Sequence, residues 1–333
     1  MAFTRATEVP VADVQARRPT VQVSLSRVGV TGVEKVIRLQ QNGTEQLFSA
    51  RFECVVDLGP EQKGAHMSRF EEVINDVIGE VVLNETSFKA ETLVQHIAER
   101  VRHEQGARRA EVSVEARFPE HKPAPLSGIQ TQELYTLHGS AVASELGTRR
   151  LIGVTAQGMT ACPCAQELVA GHARERLERD GFSAEEVDRI LDAVPVATHN
   201  QRGLGTLHIG CTELCEDEIE AASLLQIVEG AMSSEIYELM KRSDEVSVVE
   251  KAHRRPRFVE DCVREMVRGV VERFPALDDR VFVSARQVNL ETIHQHSVVA
   301  ERFGTLGEVR RELDTGVPAP VHTTRQAWLD QLP

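Results

Sequence analysis

A chain of 333 residues, 41% hydrophobic and 27% charged, can bury a substantial core and is long enough for two modules. Its net charge of −13 argues against a nucleic-acid partner, because the phosphate backbone rewards a basic face. No apolar run approaches the roughly 18 to 20 residues of a membrane span, and residues 1–20 lack the apolar core of a secretory signal, so the expected setting is cytoplasmic, with no membrane partner. The cysteines (Cys54, Cys162, Cys164, Cys211, Cys215 and Cys262) have no framework spacing and are expected to be reduced thiols.

Residues 1–20, with Pro10, Arg17, Arg18 and Pro19, show no period and read as a mobile arm. Alternation over Val21–Val30 and Leu47–Leu58 predicts antiparallel strands about the turn signal Gln41-Asn42-Gly43. Gly64 ends the second strand, and Ser68 is placed to cap a helix running to about Val82. A second amphipathic helix is expected over Phe88–Glu104, then strands at Ala110–Phe118 and Glu133–Ser144.

The second half repeats that order. Strands are expected at Arg150–Thr155 and Leu204–Thr212, helices at Asp217–Lys241 and Arg257–Phe274, and strands at Arg280–Leu290 and Ser297–Arg302. A helical insertion at 167–193 separates the first two strands. The fold class is therefore α+β, with two similar ββααββ modules, 21–147 and 148–303, antiparallel sheets and helices on one face. Open sheet edges in such a fold predict closure by oligomerisation. Residues 304–333 have weak periodicity and read as a C-terminal extension.

The chemistry concentrates around Gly158-Met-Thr-Ala-Cys-Pro-Cys-Ala-Gln166, where two thiols flank a proline at a strand end. A Cys-x-Cys pair cannot complete a tetrahedral metal shell alone, so other ligands must come from afar: His199, Glu245, Glu260, His294 and His296 are the candidates. Glu245 and Glu260 flank a helix break. One of them suits a metal or general-acid role, and the other suits hydrogen bonds from a guanidine-like edge, while as ordinary residues both are solvated helix-end acids. Cations available for an anionic substrate are Lys63, Arg69, Lys122, Arg202, Lys241 and Arg242. There is no phosphate-loop signature and no convincing dinucleotide fingerprint.

Taken together, Glu61-Gln-Lys-Gly-Ala-His-Met-Ser-Arg-Phe70, Pro125-Leu-Ser-Gly-Ile-Gln130, Cys162-Pro-Cys164, His199-Asn-Gln-Arg202, Lys241-Arg-Ser-Asp-Glu245, Phe258-Val-Glu-Asp261 and Ile293-His-Gln-His-Ser297 resemble the type IB GTP cyclohydrolases, over about Val14 to Ala300. The long insertion between Cys164 and His199 looks most like the archaeal methanopterin-branch enzymes. This resemblance implies the tunnelling fold, GTP as substrate, and a homo-oligomer (dimer or tetramer) with active sites between subunits. It carries a metal site onto Cys162, His199, Glu245 and His294, with one divalent ion per subunit: Fe(II) on the archaeal pattern, although a mixed thiolate, imidazole and carboxylate shell also accepts Mn(II) or Zn(II). Glu260 falls where the family has a pocket carboxylate, suited to the N1–H and 2-amino group of guanine; either glutamate can be the metal ligand. Lys63, His66, Arg69, Arg202, Lys241 and Arg242 are the implied substrate contacts, and His294 or His296 the implied proton carrier.

The implied reaction is metal-assisted hydrolysis at guanine C8 with loss of formate, giving 7,8-dihydroneopterin 2′,3′-cyclic phosphate. The alternative product is 7,8-dihydroneopterin triphosphate, as in bacterial members; Ala165-Gln166 replaces the Ser-Lys common there. Two competing readings are a nitrile reductase on the same fold and a metal-stabilised scaffold protein, in which Cys162, Cys164 and His199 only hold the structure.

Overall fold

A computed structural model describes residues 14–41, 44–81, 89–212 and 219–330. The first thirteen residues of the expected arm, the Asn42-Gly43 turn, Val82, Phe88, Cys215 and the start of the helix expected from Asp217 lie outside them.

The first half runs β1 (Leu25–Gln41), β2 (Thr44–Leu58), α1 (Met67–Val81), α2 (Ala90–Gln105), β3 (Arg109–Pro123) and β4 (Gln130–Ser144). The second runs β5 (Gly147–Ala161), α3 (Pro163–Arg179), α4 (Ala184–Ala193), β6 (Asn200–Cys211), α5 (Ala221–Ala231), β7 (Ser234–Glu235), α6 (Arg242–Arg254), α7 (Val259–Arg273), β8 (Phe282–Leu290) and β9 (Val298–Thr305). All the pairings are antiparallel and form one sheet, ordered β1-β2-β3-β4-β5-β6-β8-β9, with the short β7 attached to β5.

Period-two burial fixes which face is covered. On β3, Ala110, Val112, Val114 and Ala116 are buried while the residues between them are polar. The helices answer with apolar stripes: Phe70, Ile74 and Val77 on α1, Leu93, Val94 and Ile97 on α2, Leu224 and Val228 on α5, and Val263, Met266 and Val270 on α7. All of these join one continuous core with the sheet. Among the described residues no helix is long and apolar enough to cross a membrane.

Several stretches differ from expectation. The first strand begins at Leu25 and runs on to Gln41, and α1 begins at Met67, so Ser68 lies in its first turn and does not cap it. The helix expected over Asp217–Lys241 stops at Ala231, and the chain turns to lay Ser234-Glu235 against Gly158-Met159 of β5. Ser233 causes the break: its hydroxyl is buried and accepts from the Ala161 N–H at 3.1 Å, tying this turn to the end of β5. After Gly304 the chain forms α8 (Leu306–Thr315) and α9 (Arg325–Asp330). Trp328 of α9, 1% exposed, packs with Val142, Leu151, Phe282 and Leu329 in a small second core on the sheet face away from the other helices.

That second face also carries His138 and His208, with ring centroids 5.3 Å apart. A Cβ at the paired residue Gly153 would come within 2.3 Å of the His208 ring, so glycine provides its seat. Burial, with the nearby His138 and Arg325 adding to it, drops the His208 imidazole to about 3. In the unfolded chain it titrates near ~6.5. Between these values the unfolded state takes up a proton that the fold refuses, so stability is complete above the upper value and falls as pH drops toward the lower. Urea titrations across this range are expected to show that decline, and His208→Gln should flatten it.

Candidate active site

The site grows from the ends of β5 and β6. β5 finishes at Ala161, which pairs with Asn200, and the next residues lock across the gap: Cys162 N–H donates to the His199 carbonyl at 3.1 Å. The Cys162 carbonyl accepts from Thr198 Oγ1 at 2.8 Å. Cys162 has extended backbone angles (φ −76°, ψ 118°) and precedes α3, with Pro163 at its first position, where a missing N–H costs nothing. The helical pattern expected from Glu167 therefore begins four residues earlier. As a result the two thiols do not share one side: Cys164 is exposed on the first turn of α3, while Cys162 is half-buried and lines a cavity. Gln166 pins α3 by donating to the carbonyls of Val196 and His253.

The cavity, about 250 Å³, is lined by Cys162, His199, Glu260, His294 and His296, all of them singled out from sequence. His199 Nδ1 lies 3.0 Å from Gln201 Oε1 and 3.6 Å from Glu291 Oε2. His294 meets the His199 ring edge-on at 6.3 Å between centroids and stacks on His296 at 5.2 Å. The segment carrying these histidines, between β8 and β9, is held by Thr292 Oγ1 donating to the Asn200 carbonyl at 3.1 Å. Glu260 stands in the first turn of α7.

Arg257, Asn289 and Glu291 also line the cavity and did not stand out from sequence, and neither did Gln201 except as part of the His199–Arg202 block. Glu291 is the most informative of them. Its side chain is 6% exposed, yet Oε2 has no hydrogen-bond partner. A buried carboxylate oxygen without a donor is costly unless a cation completes it. With a thiol and two imidazoles beside it, the donor set suits a divalent ion of the Fe(II), Mn(II) or Zn(II) kind. Among the described residues no three such side chains already stand close enough to form a finished shell.

Other candidates lie outside this cavity. Glu245 is exposed on α6, Lys241 and Arg242 are exposed at its start, and Arg202 is exposed with its guanidinium on Gln157 Oε1. Lys63, His66 and Arg69 sit together before and at the start of α1, where His66 N–H and Arg69 bond to Gln105 and to the Glu104 carbonyl. The run Lys241–Glu245 starts a helix, and its neighbour Asp244 is fully buried. Asp244 accepts from the Ser127 hydroxyl and from the N–H groups of Ser127, Lys241 and Leu126, which hold its carboxyl well below the usual range. That clamp explains the Pro125–Gln130 block, since Asp244 fastens this loop to α6.

Residues 11–300 match the family described as type I GTP cyclohydrolase folE2. GTP cyclohydrolase MptA of Methanocaldococcus jannaschii is 42% identical over 308 residues, spanning 90% of this chain and 97% of that protein. GTP cyclohydrolase MptA of Methanococcus aeolicus is 42% identical over 307 residues, spanning 90% and 99%. In fold, the chain is similar to uricase from Arthrobacter globiformis, with a TM-score of 0.51 at 8% identity over 84% of this chain and 93% of the other. That likeness identifies the ββααββ pair as the tunnelling fold. With its antiparallel sheet, its Cys162–His199 junction and a family match over most of its length, the chain belongs to the type I GTP cyclohydrolase folE2 family.

Proposed function

We propose that this GTP cyclohydrolase opens the imidazole ring of GTP at C8 and releases formate, giving 7,8-dihydroneopterin 2′,3′-cyclic phosphate. In this reading it uses one divalent ion per chain, Fe(II), at a site completed between subunits of a homo-oligomer. The carrying observation is the convergence of Cys162, His199, His294 and the unsatisfied Glu291 on a cavity that also holds Glu260. Cys162, His199 and His294, with Glu291, would hold the ion, which when bound supplies the Lewis acidity that makes water nucleophilic near neutral pH. Glu260 accepts the N1–H and 2-amino group of guanine, a two-point match for a carboxylate. His296, stacked on His294, passes protons as the ring opens.

The triphosphate argues for a second subunit. The guanidinium among the described lining residues, Arg257, is already taken by Glu265 at 2.9 Å and by the carbonyls of Gly230 and Ala231. Cations for the phosphates must then come from outside the cavity, and Lys63, His66, Arg69, Arg202, Lys241 and Arg242 are assigned to that task across a subunit boundary, with Glu245 brought across the same boundary as the alternative carboxylate ligand of the ion. β1 and β9, each paired on one side within the sheet, are the edges through which copies would join. Kinship with the archaeal proteins favours the cyclic phosphate over the triphosphate. The test is anaerobic incubation with GTP and Fe(II) and mass spectrometry of the pterin. The cyclic phosphate with formate is expected, the triphosphate would move the chain to the other branch, and unaltered GTP would refute the activity.

A further inference from the structure

The covered face of β8 changes character as it approaches the cavity. Val283 and Ala285 are apolar, but the next residues on that face are Gln287, Asn289 and Glu291, which form a polar ladder running out of the core. Gln287 is 0% exposed and Asn289 2%. Space for these amides comes from the paired strand β6, where Gly203 lies opposite Asn289 and Gly205 opposite Gln287. A Cβ on Gly203 would sit 2.4 Å from Gln287 Nε2, and one on Gly205 3.0 Å from its Oε1.

One hydrogen bond in this ladder sets a direction. Gln287 Nε2 donates to Asn289 Oδ1 at 3.0 Å, that oxygen faces the Gly203 side, and Gln287 Oε1 is buried with no hydrogen-bond partner. The acceptor of Asn289 is thereby used in the core, which leaves its Nδ2 donors for the cavity that Asn289 lines. Among the described residues no hydrogen bond engages that Nδ2. Of the other polar groups there, Glu260 and Glu291 accept from a ligand, Arg257 is held by Glu265, Gln201 is engaged with His199 through its Oε1, and Cys162, His199 and His294 are assigned to the ion. A guanine placed with its N1–H and 2-amino group on Glu260 still needs a donor for the O6 acceptor beside N1.

We propose that Asn289 is that donor and so determines specificity for the 6-oxo group, and that Gln287 is a positioning residue fixing the sense of the Asn289 amide. The inference rests on the reading of the cavity as the GTP site. Asn289 presents hydrogen to O6, where a purine lacking the oxygen leaves the amide unpaired in a buried wall.

The test uses two competitors of GTP hydrolysis with intact triphosphates. 7-Deaza-GTP keeps O6 but lacks N7, while 6-thio-GTP keeps the N1–H and 2-amino group for Glu260 and carries sulfur, a much weaker acceptor, in place of O6. Inhibition constants are measured for the wild-type holoenzyme, Asn289→Ala, the isosteric Asn289→Asp and Gln287→Leu, with thermal melting to confirm folding. Asn289→Ala is expected to weaken 7-deaza-GTP by about tenfold and the analogue without O6 by less than about twofold. Asn289→Asp, which turns an acceptor toward O6, should show the same selectivity at least as strongly, and supplies the answer where the alanine variant does not fold. Gln287→Leu should show it more weakly, about threefold, because the amide is present but free to turn over. Equal weakening of both analogues means a purely structural role and overturns the proposal, as does no weakening of 7-deaza-GTP. Wild-type protein that binds neither analogue refutes the reading of the site itself, a separate outcome.

Discussion

Cys162→Ala is expected to cut formate release from GTP by roughly a thousandfold or more, and His199→Ala to do the same, with the fold intact. Both side chains line the cavity, whereas the bonds that position them are made by backbone: Cys162 N–H to the His199 carbonyl, and Thr198 Oγ1 to the Cys162 carbonyl. The Cys162 side chain makes no capping hydrogen bond to α3, so removing its sulfur leaves the start of the helix undisturbed. The loss is therefore chemical, and several kcal/mol of ion-derived stabilisation correspond to about three powers of ten in rate. On the proposed reading the two groups serve one centre, so the double variant should be scarcely worse than either single one. Formate assays read alongside circular dichroism check this, and turnover within tenfold of wild type in a folded single variant would remove that residue from the centre.

Trp328→Ala is expected to cost about 3–5 kcal/mol of stability, the range for deleting a buried aromatic. The indole fills the second core against Phe282 at 5.5 Å, donates from Nε1 to the Arg280 carbonyl at 2.9 Å, and lies under the Arg149 guanidinium at 4.7 Å. Arg149 is itself buried and also donates to the Trp328 carbonyl, so detaching α9 would strand a charge inside the protein. Trp328→Phe keeps most of the volume and loses the N–H, for about 1 kcal/mol. Urea denaturation measures both. A change below about 1 kcal/mol for the alanine variant would show that α9 contributes little to the fold.

The legible parts of this molecule were those with a period or a crowded motif. Strand alternation set the order of both halves, and Cys162, His199, His294, His296 and Glu260 meet in one cavity although up to 134 residues separate them along the chain. What could not be read depends on contacts without a sequence period. The break after Ala231 is made by a serine hydroxyl reaching β5, and α9 is anchored by Trp328 with Arg149 of β5 as its partner, by Leu329 beside it, and by Arg325 and Asp330 bonding to Ser140 and Arg109. Glu291 was hidden for a different reason: a lone acid after a strand is ordinarily solvated, and only its burial and unpaired oxygen distinguish it. Its one sequence signal is the alternation Gln287, Asn289, Glu291, polar where β8 should have continued apolar. Asp244 shows the converse, an acid within a recognisable block whose work is to fasten a loop.

Metal stripping and restoration tests the central idea most directly. Chelator-treated protein should keep its circular dichroism and its size in solution, release no formate from GTP, and regain activity in proportion to added Fe(II) under anaerobic conditions until one ion per chain is bound. Unfolding on chelation, or formate release from protein shown to be metal-free, would contradict the account.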